Sequence, residues 1–172
     1  VKPGDRVATL AWNTYRHFEL YYAISGIGAV RHTINPRLAP DQMSYIVNHA
    51  LDKILFFDLT FAPLIAKLAP AFRPVGTYFA MTDRAHMPAE PPVANLQCYE
   101  ELLDSGEPEI EWPEMDEHAA CALCYTSGTT GDPKGSLYSN RSTVLHTLFT
   151  LACVSSPFGV RNPVLPVVPL FH

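Results

Sequence analysis

Residues 119–135 read Ala-Ala-Cys-Ala-Leu-Cys-Tyr-Thr-Ser-Gly-Thr-Thr-Gly-Asp-Pro-Lys-Gly. The first seven are apolar enough for a buried strand, and they run directly into a turn-rich segment. That segment sets Gly128, Gly131 and Gly135 among the hydroxyls of Thr126, Ser127, Thr129 and Thr130, with one cation, Lys134. Glycine lets the backbone turn with positive φ and lets a ligand approach closely. Successive N–H groups in such turns form an anion-binding nest. Hydroxyls add donors, or ligands for a hard cation, and the lysine adds a mobile positive charge. The composition asks for a polyphosphate, and its place beyond a strand is where open α/β sheets bind ligands.

Working outward, strand and helix patterns alternate. Residues 6–11 read as a strand, and 14–27 as a helix capped by Thr14 or Asn13. Phe18, Tyr21 and Tyr22 suggest a core-facing side of that helix. A short strand at 29–33 closes at Asn35-Pro36, and a helix at 41–50 begins after Pro40. Residues 53–58 enclose Ile-Leu-Phe-Phe, a continuous apolar run of the parallel, doubly covered kind. A helix at 60–68 and a strand at 74–79 follow, then an irregular excursion at 82–95, a short helix at 99–104 and an acidic linker at 106–117. Beyond the loop the sequence predicts a strand near Leu137, a helix at 142–153 and a terminal strand at 164–168 that delivers His172. The alternation predicts an α/β fold, a layered open and mostly parallel sheet with flanking helices and right-handed crossovers. We divide it into first α/β repeats at 1–80, an irregular and linker region at 81–118, and the loop segment with its terminal strand at 119–172, all parts of one partial domain.

The bulk numbers exclude several classes. The chain has 172 residues, 48% hydrophobic and 17% charged, which is a globular composition and not a disordered one. A net charge of −5 leaves no basic footprint for nucleic acid. No run reaches the roughly 18 apolar residues that a membrane-spanning helix needs. Of the four cysteines, Cys121 and Cys124 share a C-x-x-C spacing, but residues three apart on a strand point to opposite faces. We therefore read buried structural thiols, as fits a reducing cytoplasm, and no metal or redox pair. His17, His32, His49, His86 and His118 lack metal-ligand spacing, and His146 falls on a helix.

The loop is not a Walker A loop, whose order is G-x-x-x-x-G-K-S/T; here Asp132 and Pro133 separate Gly131 from Lys134, and Gly135 follows the lysine. Residues 125–135 do match Y/F-T-S-G-S/T-T-G-x-P-K-G throughout, and so the chain resembles the adenylate-forming (acyl-CoA synthetase, AMP-binding) superfamily. The end, Val164-Leu165-Pro166-Val167-Val168-Pro169-Leu170-Phe171-His172, is similar to that family's second signature. Ala11-Trp12-Asn13-Thr14-Tyr15-Arg16-His17, His32-Thr33-Ile34-Asn35-Pro36-Arg37 and residues 136–147 look like the medium- and long-chain fatty acyl branch. Two positions depart from the pattern: Ser136 stands where Val or Ala is common, and Asn140 where His is common.

The resemblance implies an ATP-dependent fatty acid–CoA ligase. ATP and a carboxylic acid would give an acyl-adenylate and pyrophosphate, and CoA would then take the acyl group. It implies that Thr126, Ser127, Gly128, Thr129, Thr130, Gly131 and Lys134 hold the nucleotide phosphates, with Thr126 also a ligand of Mg²⁺. Lys134 would steer the pyrophosphate, since an exposed lysine is too basic to act as a base. His172 would stand beside the carboxylate and the α-phosphate as the catalytic residue. Other acids such as aryl acids, and a non-catalytic ATP-binding module, are the alternatives. Family members are far longer, so the chain is expected to be an N-terminal piece that forms no adenylate alone. The expected partner is a small carboxylic acid; a homodimer and a peripheral membrane contact stay open, and no basic amphipathic helix supports the latter.

Overall fold

Runs of three to seven residues, mostly apolar, become the parallel strands, and the stretches between them become the covering helices. The computed structural model describes residues 1–126, 131–153 and 162–172. Among these, β1 (Arg6–Leu10), α1 (Tyr15–Gly26), β2 (Val30–Thr33), α2 (Pro40–Ala50), β3 (Ile54–Phe57), α3 (Ala62–Leu68), β4 (Thr77–Ala80), β5 (Leu96–Cys98), α4 (Tyr99–Asp104), β6 (Ala120–Thr126), β7 (Lys134–Ser139) and α5 (Asn140–Cys153) follow in chain order. The seven strands form one sheet in the order β5-β4-β3-β1-β2-β6-β7. Every neighbouring pair is parallel except β6 and β7, an antiparallel hairpin around the glycine-rich loop. The expected open α/β architecture is what forms.

Crossover handedness assigns the helices to faces. The chain moves one way from β1 to β2 and the other way from β2 through β5, so right-handed connections must lie on opposite faces. They do. Met43, Ile46 and Val47 of α2 and Ile65 and Leu68 of α3 pack with Leu10, Leu55 and Phe57. Leu20 and Ile24 of α1 and Tyr99 of α4 pack on the other side with Val7, Phe56 and Phe79. The alternation of Leu55, Phe56 and Phe57 between the two clusters is the period of a strand covered on both faces.

Local chemistry sets the ends. The Thr14 hydroxyl accepts from the His17 amide and caps α1, leaving Asn13 for another task. Pro40 occupies the first turn of α2, where its missing N–H costs nothing. α5 begins two residues earlier than expected: the Ser139 amide donates to the Ser142 hydroxyl at 3.0 Å and the Ser142 amide to the Ser139 hydroxyl at 3.1 Å, a reciprocal cap. Trp112, in the linker between α4 and β6, lies so close over Gly26 that any side chain at residue 26 would collide with its indole.

Several expectations fail for identifiable reasons. Residues 164–168 form no strand. Pro163, Pro166 and Pro169 recur every third residue, so the segment lacks the N–H groups that a ladder needs. Phe18 and Tyr22 face solvent and pack edge-on against each other, while α1 buries His17, Leu20 and Ile24. β5 was not foreseen; it is three residues at the sheet's edge. The helix expected at 60–68 opens as a 3-10 turn at Leu59–Phe61. Ser136 lies half-buried on the edge strand β7, where its hydroxyl escapes the desolvation cost of a core position.

Candidate functional site

The parallel strands β1, β2, β3 and β6 all end at one edge of the sheet, and every described candidate residue collects there. In the hairpin register Thr126 stands opposite Lys134, and Tyr125 opposite Gly135. The Thr126 hydroxyl lies 3.5 Å from the Lys134 carbonyl. Gly131 has a φ of 97°, the left-handed geometry expected of the loop. A Cβ at Gly135 would sit 3.1 Å from the Leu123 side chain and 3.3 Å from the Tyr125 ring, so glycine lets the two strands close under the loop. Ser127, Gly128, Thr129 and Thr130 lie outside the described residues. Asp132 and Lys134 are exposed.

The root of the loop is anchored from below. The Tyr125 hydroxyl and His49 Nδ1 are 2.6 Å apart, tying β6 to α2. Burial, helped by Asp52, pushes the Tyr125 phenol up to about 12, so it is a neutral hydroxyl at physiological pH. The Tyr125 ring also packs at a tilt against His32, whose Nδ1 contacts Asp52 Oδ2 at 2.7 Å in full burial. Burial raises the Asp52 carboxyl, while the neighbouring His32 and Arg6 oppose the rise.

His172 reaches the same edge without the strand expected to carry it. Its amide donates to the Pro169 carbonyl at 3.1 Å, closing a turn over residues 169–172. Phe171 is buried in that turn. The Phe171 carbonyl accepts from the Thr33 hydroxyl at 3.0 Å, at the end of β2, and lies 3.7 Å from Cys124 Sγ in β6. The His172 ring is exposed and packs on Phe171 at 4.6 Å between centroids. The histidine and the loop residue Thr126 are thus brought to neighbouring strand ends.

The turn after β1 stands at the same edge; sequence reasoning used it for the branch resemblance and assigned it no site role. The Trp12 amide donates to Asp58 Oδ2 at 2.6 Å, and its indole donates to the Thr60 hydroxyl at 3.0 Å. The Trp12 ring also packs on Phe61, so it links the turns that follow β1 and β3. Burial raises the Asp58 carboxyl, and the Trp12 amide offsets part of that rise. His17 is fully buried, with Nδ1 3.0 Å from the Trp12 carbonyl and Nε2 2.9 Å from the Thr9 hydroxyl. A carbonyl can only accept, so Nδ1 carries the proton and Thr9 donates to Nε2. Desolvation lowers His17 to about 4.

The cysteines are separate. Cys121 Sγ lies 3.5 Å from the Tyr138 carbonyl and from the Thr143 hydroxyl, whereas Cys124 Sγ lies near the Phe171 carbonyl. Cys98 is buried and Cys153 is exposed.

The described part of the sheet thus carries Thr126, Lys134 and the His172 turn at its carboxyl edge. The chain belongs to the AMP-binding enzyme family, whose pattern it matches over residues 1–172. It is 49% identical over 172 residues to a 3-methylmercaptopropionyl-CoA ligase of Ruegeria lacuscaerulensis, covering 100% of this chain and 32% of that one. It is 48% identical over 171 residues to a medium-chain-fatty-acid–CoA ligase of Ectopseudomonas oleovorans, covering 99% and 31%. The chain therefore spans about a third of these relatives' length. Among solved structures, the anthranilate CoA ligase AuaEII in complex with anthranoyl-AMP superimposes with a TM-score of 0.78 at 23% identity, covering 88% of this chain and 28% of that one. At that identity the likeness shows the fold. No helix among the described residues is long and apolar enough to cross a membrane.

Proposed function

We propose that this chain is the phosphate-binding part of an ATP-dependent acid–CoA ligase that acts on an aliphatic, fatty-acid-like carboxylate. The observation that carries the reading is the meeting of Thr126 and Lys134 with the His172 turn at one sheet edge. The acid carboxylate attacks the α-phosphorus of ATP, pyrophosphate leaves, and the acyl-adenylate then yields its acyl group to the CoA thiol. In the first step the protein mainly positions groups and neutralises phosphate charge. Lys134 and the loop amides take the β- and γ-phosphates. His172 donates toward the approaching carboxylate and α-phosphate oxygens. The acid class rests on the fatty acyl resemblance and on the aliphatic acids named for both relatives.

Mg²⁺ fits this arrangement in a limited way. Among the described residues no cluster of His, Cys, Asp or Glu offers a metal cage, so the protein's share here is the Thr126 hydroxyl. That suits an ion which keeps several waters and is held largely by substrate phosphates. When bound, it would offset phosphate charge.

The test is acid-dependent ATP–pyrophosphate exchange by the whole protein, with short, medium, long and aromatic acids. Aliphatic acids are expected to stimulate exchange, and Lys134→Ala is expected to lower kcat/KM about a hundredfold. Stimulation by aromatic acids alone would replace the substrate class. ATP binding without exchange for any acid would replace the ligase with a non-catalytic nucleotide-binding module.

A further inference from the structure

Residue 13 has one role legible in the sequence, capping α1, and Thr14 performs it. The Asn13 side chain turns instead to a segment 153 to 157 residues away. Its Nδ2 donates to the Pro166 carbonyl and to the Val168 carbonyl, both at 3.1 Å, and its Oδ1 accepts from the Leu170 amide at 2.7 Å. Both amide N–H groups and the oxygen are engaged, so only one orientation of the amide satisfies all three partners.

We propose that Asn13 is a positioning residue: by holding the main chain of residues 166–170, it sets where His172 stands over the ends of β2 and β6. Its kinetic consequence rests on the adenylation reading above; the clamp itself does not.

Among the described residues, the stretch 163–168 gains little from ladders or burial. Pro163, Pro166 and Pro169 deny it ladder hydrogen bonds, and Leu165 and Val167 are 83% and 81% exposed, so burial does not seat those side chains. The 169–172 turn is seated by the buried Phe171 and gripped on one side by Asn13 at the Leu170 amide and on the other by Thr33 at the Phe171 carbonyl. Asn13 can act as a clamp because its own backbone is fixed. Trp12 before it is hydrogen-bonded to Asp58, Thr60 and His17, and Thr14 after it caps α1. The clamp therefore passes the rigidity of β1 and β3 to the histidine. Aspartate at 13 would keep the acceptor but lose both donors, and it would set an anion against two carbonyls. Glutamine would carry the same groups one methylene too far.

The test uses the whole protein with Asn13→Ala and the isosteric Asn13→Asp, which guards against a variant that fails to fold. Hydrogen exchange of the Leu170 amide reads the clamp directly, and it is expected to quicken at least about tenfold in Asn13→Ala. In pyrophosphate exchange, both variants are expected to lower kcat about tenfold or more, with the KM for ATP within about threefold. Added to His172→Ala, Asn13→Ala should cost less than about threefold further, because both changes disable the same group. Unchanged Leu170 protection overturns the proposal, and so do losses that multiply in the double variant. If the wild-type protein shows no acid-dependent exchange, the ligase reading falls, and Leu170 protection alone decides the clamp.

Discussion

The body built from β1 to β5 and the arm built from β7, α5 and residues 162–172 differ in how they are held. In the body, strands covered on both faces bury Leu10, Leu55, Phe57, Ile46 and Ile65 almost completely. In the arm, α5 buries no residue at all, and Val144, Leu145, Leu148, Phe149 and Leu151 all face outward. The body is positioned by packing; the arm is held mainly by hydrogen bonds, namely the β6–β7 ladder, the Ser139–Ser142 cap and the Asn13 and Thr33 contacts, together with the buried Phe171. The difference teaches that the site joins two kinds of order. Its floor is a packed sheet edge, and the candidate residues Lys134 and His172 stand on the arm.

The largest expected effect tests that contrast head-on. Phe57→Ala should cost about 3–5 kcal/mol, since it empties a fully buried site. Leu148→Ala should stay within about 0.5 kcal/mol. Urea unfolding of the 172-residue chain measures both. Equal losses there would break the comparison, and a large loss at Leu148 confined to the whole protein would show that α5 is covered in it.

Acid comes next and should act on the body. Folded His17 titrates near 4, below its ordinary 6.5, so the unfolded chain binds the proton first as pH falls. The stability lent by neutral His17 is complete above 6.5 and is lost down to about 4, a loss of roughly 3 kcal/mol. Asp52 and Asp58, both raised by burial, work the other way and gain stability on acidification. The measurement is therefore the difference between wild type and His17→Gln across that window; the variant should have the shallower acid slope. Parallel slopes would remove His17 from the account.

The smallest effect belongs to the arm. Ser139→Ala should loosen the first turn of α5 by about 1 kcal/mol, seen as faster exchange of the Ser142 amide, with the body's core amides unchanged. Loosening of core amides by the same change would show that arm and body are one cooperative unit.

The body was the readable part. Its strands announce themselves as continuous apolar runs such as Ile-Leu-Phe-Phe at 54–57, and Pro40 marks a helix start. β5 was missed because three residues at an edge, Leu96-Gln97-Cys98, carry no periodicity. The tail was misread because Val and Leu favour strands, while proline at every third place removes the ladder they would need. The loop motif pointed to the family because its residues are adjacent in sequence. Asn13 was not legible, because its partners are backbone groups more than 150 residues away, and a lone asparagine before a helix looks like a cap.

The indole of Trp112 laid across Gly26 has a practical side. Residue 26 ends α1 at the amino edge of the sheet, whereas Trp12 follows β1 at the carboxyl edge, and these are the chain's two tryptophans. Both are partly exposed. Intrinsic fluorescence therefore carries two beacons at opposite poles of the sheet. On the ligase reading proposed above, a nucleotide would arrive at the carboxyl edge, the pole of Trp12, and Trp112 would stand apart as an internal standard; Trp112→Phe would leave a single reporter at that pole.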